Sequence, residues 1–168
     1  MDERWKQMIW NQLGACIDSL ERAMHACPDS LWGDRSRKPE FWYVAYHTLF
    51  FLDFYVGNQQ EGFAPPEPFG LEELDPAGVL PPRVYQKAEL QEYLELTRLK
   101  CRRTLAGLTA EVAEQRCAFD RRDITFSELL LYVMRHVQHH AAQLNVLLRQ
   151  EVDSAPGWVS TAGKPLND

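Results

Sequence analysis

Apolar residues recur at steps of three and four in four separate stretches of the chain, a spacing that predicts four long helices. In the first, Trp5, Ile9, Leu13, Cys16, Leu20, Met24 and Cys27 form one face from about residue 3 to 27, and Pro28 ends it. After a short polar link, Pro39 reads as the first helical position of a second helix, which runs to about Val56 and is stopped by Gly57-Asn58. Its stripe is Val44, His47, Phe51 and Phe54. A third helix is expected from about Val84 to Leu108, with Leu90, Leu94, Thr97, Cys101, Thr104 and Leu108 on one side. Thr125-Phe126-Ser127-Glu128 fits a capping box, so a fourth helix should begin at Phe126 and run to about Gln150.

Four such helices suffice to enclose one core, and no alternation is long enough to predict a sheet. The expected fold is all-α, a four-helix bundle forming a single domain over residues 1–168. Residues 58–83 carry Pro65, Pro66, Pro68, Pro76, Pro81 and Pro82. This stretch is too long for a turn between antiparallel neighbours but can run the length of a bundle, which predicts that the second and third helices are parallel. It serves either as a plain crossover or as a wall or lid over a pocket. The tail, residues 151–168, reads as irregular, with Trp158 expected to pin it to the bundle. Beside the stripe that carries its histidines, the fourth helix has a second apolar row, Leu130, Met134, Val137, Ala141 and Leu148. So wide an apolar arc is either central in the bundle or shared with a second subunit.

Composition narrows the classes of function. With 24 acidic against 18 basic residues the formal charge is −6, which opposes phosphate attraction and argues against a nucleic-acid partner. The start, Met1-Asp2-Glu3, lacks the basic and apolar parts of a signal peptide, and no apolar run approaches the roughly 20 residues that span a bilayer. A cytoplasmic protein with no membrane partner is the expectation. Cys16, Cys27, Cys101 and Cys117 are widely spaced, so reduced thiols are expected rather than disulfides.

The chemistry concentrates on two helices. The stripe Leu129, Val133, His136, His140, Leu144, Leu147 sets two imidazoles one turn apart, a spacing that can aim two ring nitrogens at a single ion. His47 sits in the apolar stripe of the second helix. A lone inward histidine is usually a hydrogen-bonded core residue, but three on inward stripes, two of them at ligand spacing, point to a divalent metal held by His47, His136 and His140. Zinc, nickel, iron and cobalt all suit imidazole, with zinc or nickel preferred. His139 points away from that face, and His25 falls beside Glu21 and Arg22; both read as surface residues. Cys101 reads as a small core residue, with a fourth ligand or reactive thiol as the alternative. Gln143, three residues past His140, is placed either to orient a ligand or to meet solvent. Asp53 lies off the His47 face and receives no role.

The segment from Ala45 to Asp53, AYHTLFFLD, and the segment from Leu129 to Leu144, LLLYVMRHVQHHAAQL, resemble the DinB family. The resemblance implies a bundle in up-down-down-up order with one histidine on the second helix and an H-x-x-x-H pair on the fourth, matched here by His47, His136 and His140. It also implies frequent homodimers. The chain carries Ala141-Ala142 where many members have Arg-Gly after the last ligand.

Three functions fit this ligand set. Three neutral nitrogens leave a coordination position open, as catalytic zinc sites do, and related bundles are thought to activate low-molecular-weight thiols for transfer. A metal-dependent hydrolase is a second enzymatic reading, although no H-E-x-x-H supplies a base. The contrasting reading is a non-catalytic metal- or ligand-binding module, in which the ion fastens two helices. Catalytic residues are not assigned by the sequence.

Overall fold

A computed structural model describes residues 2–57, 62–119 and 122–167, with residues 118, 119 and 122 described by their backbone. The four expected helices are present as α1 (Glu3–Ala26), α3 (Phe41–Val56), α4 (Lys87–Ala106) and α6 (Phe126–Val152). Two short helices, α2 (Asp29–Trp32) and α5 (Ala110–Glu114), and a two-stranded antiparallel hairpin, β1 (Arg116–Phe119) with β2 (Arg122–Thr125), stand between them. The chain is mostly helical, and the hairpin corrects the expectation of no sheet. Its strands are four residues each and pair only with each other, from Arg116 opposite Thr125 to Phe119 opposite Arg122, too short to leave a readable alternation.

Local chemistry sets where each helix starts. The Asp2 carboxylate accepts from the Arg4 amide at the head of α1, and the Thr125 hydroxyl accepts from the Glu128 amide at the head of α6. That is the forward half of the expected capping box. A box with both halves occurs instead at α4, between Gln86 and Glu89, and it starts that helix three residues later than Val84. Pro39 is not a helical residue: α3 begins at Phe41 after the N-cap Glu40, whose buried carboxylate accepts from the Trp42 indole at 2.7 Å. Gly57 caps α3, and Asn58, expected to share that stop, lies outside the described residues.

One core runs from Ile9 to Leu166 and draws on every long helix. α3 is buried on nearly all sides, with Trp42, Tyr46, Leu49, Phe50 and Leu52 inside. Its remaining row, Tyr43, His47, Phe51 and Tyr55, is half-buried and faces α6. On α6 the deepest residues are Leu130, Val133, Val137, Ala141, Leu144 and Leu148. The row read as a surplus apolar face is therefore largely used inside the chain.

Polar contacts tie the elements along their lengths. Between α1 and α4, Lys6 donates to the Ala106 carbonyl, buried Arg98 pairs with Asp18 and Glu21, and Lys87 donates to the Cys27 carbonyl. Between α3 and α4, Tyr93 and Lys100 both donate to Asp53, and the Tyr46 ring packs on Tyr85 just ahead of α4. Asp53, given no role above, is thus a buried anchor. The seam between α3 and α6 is aromatic, with Tyr55 on Tyr132 and Phe51 on His136.

The tail is fastened, but not by Trp158, which is 75% exposed. The Trp10 indole donates to the Lys164 carbonyl, the Ala162 amide to the Asn11 carbonyl and the Gly163 amide to Asp18, while Leu166 is buried. Backbone groups, which carry no sequence signal, make these contacts. Among the described residues no helix is long and apolar enough to cross a membrane.

Candidate metal centre

His47, His136 and His140 come together where α3 meets α6, and among the described residues they are the one group of histidine, cysteine or carboxylate side chains placed to hold a metal ion. One donor atom from each lies within 4.8 Å of the others. The ring centroids are 4.9 Å apart for His47 and His140, 5.3 Å for His47 and His136, and 4.5 Å for His136 and His140. The expected core-facing placement needs correction. All three rings are half-buried, on the edge of the apolar face, with His47 packed against Phe51. An edge position leaves the site reachable.

Hydrogen bonds set the protons on these rings. His47 Nδ1 lies 2.7 Å from Glu73 Oε2, and His140 Nδ1 lies 2.7 Å from Gln143 Oε1. Both partners accept, so both Nδ1 atoms carry the proton and both Nε2 atoms present lone pairs. His140 Nε2 faces His136 Nε2 at 3.1 Å, so His136 supplies the proton between them and its own Nδ1 is buried without a partner. Two nitrogens each bound at about 2.0–2.1 Å to one ion stand about 3 Å apart, so an ion between them would replace the Nε2 contact and give His136 the same tautomer as its neighbours. The donor set fits a borderline divalent cation.

Burial disfavours charge on the two rings of α6. It pushes His136 down to about 3, with the neighbouring His140, His47 and His139 adding to the effect, and it lowers His140 against the opposing hydrogen bond to Gln143. Neutral imidazole is the form that ligates. A cleft of about 630 Å³ lined by His136, His139, Tyr132, Arg135, Cys16 and Trp158 reaches one side of the site.

Glu73 is the residue that the sequence concealed. It sits in a single 3-10 turn, Glu72–Leu74, within the crossover, where no periodicity marks which side chain turns inward. Its side chain is 3% exposed, and Oε1 is buried without a partner. Burial and this carboxylate push the Tyr43 hydroxyl well up from its ordinary range. The crossover therefore reaches the site through the Glu73 side chain.

The other singled-out residues stand apart. His139 is exposed beside His140, and exposed His25 contacts the Glu21 carbonyl. Cys101 is fully buried in the core, outside the histidine group, and burial pushes its thiol up to about 12, which suits a packing residue rather than a nucleophile.

No curated protein and no solved structure matches the chain. A family model described as DinB superfamily matches residues 12–144, a span that takes in α1 from its third turn, the crossover, and all three histidines. With the helical fold and the histidine group already in place, that match settles the family: the chain belongs to the DinB superfamily.

Proposed function

We propose that His47, His136 and His140 ligate a divalent ion, zinc or nickel before iron or cobalt, and that the site activates a small thiol for transfer. The observation that carries the metal reading is the pair of facing Nε2 atoms of His136 and His140 at 3.1 Å, with His47 completing a three-histidine group beside them. When bound, the ion supplies Lewis acidity that lowers the pKa of a thiol. The chain's own part is to disfavour charge on His136 and His140 by burial and to leave a cleft beside His136. A purely fastening role is weakened by the seam itself, since Phe51, Tyr55 and Tyr132 already join α3 to α6. A hydrolytic role keeps one observation in its favour, the buried Glu73 carboxylate.

The helix order up-down-down-up is supported by where contacts fall. Positions 42 and 46 of α3 meet Tyr85 just ahead of α4 and position 53 meets Tyr93 within it, whereas 55, 51 and 47 meet 132, 136 and 140 in turn. We place the protein in the cytoplasm, in keeping with buried cysteines held as thiols rather than disulfides. Homodimerisation retains exposed Leu131, Val146 and Trp158 as support, and sedimentation velocity decides it.

The test of function is a titration of cobalt-loaded protein with several low-molecular-weight thiols, using His136→Ala as the blank. A saturable thiolate charge-transfer band is expected. An unchanged spectrum at full cobalt occupancy removes the thiol reading and leaves the fastening module.

A further inference from the structure

The crossover reaches the candidate metal centre through one side chain, and the chain invests several packed groups in delivering it. Phe69 is buried, stacks on Tyr46 and Tyr93, and meets Tyr85 edge-on. The Tyr46 hydroxyl donates to the Gly70 carbonyl at 3.3 Å. Four residues beyond Phe69, the 3-10 turn directs Glu73 inward, to within 2.7 Å of His47 Nδ1. A carboxylate taken so far out of water is costly unless it is bonded, and the groups that meet it are this ring nitrogen, 2.7 Å from Oε2, and the Tyr43 hydroxyl. A surface ion pair formed by chance does not have that form.

We propose that Glu73 is the positioning residue of this site: its carboxylate holds His47 in the Nδ1–H form and fixes the ring with Nε2 toward His136 and His140. The inference rests on the metal reading for its purpose, but the hold on His47 exists without any ion. An acceptor on one imidazole nitrogen decides which nitrogen keeps the proton, and a carboxylate in that place also restrains rotation of the ring. His140 has a weaker counterpart in exposed Gln143, and His136 has none. Glu73 thus makes residues of the crossover part of a site otherwise built from α3 and α6.

The experiment uses the full chain and two variants, Glu73→Ala and Glu73→Gln, with helix content checked by circular dichroism. In metal-free protein, nitrogen-15 correlation spectra of the imidazoles should show His47 as Nδ1–H in wild type and shifted toward Nε2–H in Glu73→Ala. Zinc affinity, read by competition with a chelating dye, should fall by about 10- to 100-fold in Glu73→Ala. Glu73→Gln, which keeps an acceptor at the same reach, should hold the tautomer and recover most of the affinity. An unchanged tautomer together with unchanged affinity in Glu73→Ala overturns the proposal. If no form binds zinc but the tautomer still shifts, the metal reading fails and the hold of Glu73 on His47 is supported.

Discussion

Each histidine of the site differs in what its second nitrogen touches, and the differences order the expected effects of substitution. His47→Ala, His136→Ala and His140→Ala each remove a nitrogen donor, so bound zinc measured by elemental analysis should drop sharply in all three. Gln143→Ala leaves the donor and removes only its exposed orienting partner, which should weaken binding by about tenfold. His139→Ala should change nothing, because that ring is exposed outside the group. Acid sensitivity belongs to this scale as well. In the native chain His136 is held near about 3, whereas the unfolded chain takes up its proton near 6.5. Both states are neutral above 6.5, so the native state keeps its full stability there. Below it the unfolded state gains a proton that the native state refuses, and stability is lost progressively as pH falls toward 3. Urea midpoints of metal-free protein should therefore decline over that window, and His136→Leu should flatten the decline.

At the scale of elements, the start of α6 offers a control that separates stability from binding. Thr125→Ala removes the side-chain acceptor for the Glu128 amide and should cost about 1 kcal/mol in denaturant unfolding. His136 and His140 lie about three and four turns further along a helix packed on both α1 and α3, so zinc affinity should not follow. What the sequence made legible was this kind of element, one long enough for an apolar stripe to repeat. α1, α3, α4 and α6 each repeat it several times, and the same stripe ranked His47, His136 and His140 above His25 and His139. α2 and α5 are about one turn each and the hairpin strands are four residues, so none repeats its period often enough to be read. The depth of the histidines was misread for a related reason, since spacing gives direction around a helix but not how closely the next helix approaches. Glu73 had no readable signal, because its inward turn is set by Phe69 docking on rings from α3 and α4.

For the whole molecule, an ion that joins α3 to α6 binds the folded chain and not the unfolded one. Free zinc at about 100 times its dissociation constant should add about 2.7 kcal/mol of stability, read as a higher melting temperature that His140→Ala abolishes. The tail has a separate consequence. Residues 153–167 lie beyond the span matched to the family, yet they close over α1 so tightly that a Cβ on Gly14 would come within 2.6 Å of the Ala162 side chain. Trp10 lies directly under that contact, with its indole N–H spent on Lys164. Gly14→Ala, although it favours the helical backbone of α1, should therefore lift the tail and let water reach this ring. The molecule in effect carries an intrinsic fluorophore under its own C-terminal strap, so a red shift in Trp10 emission would report the strap's release while the helices beneath remain folded.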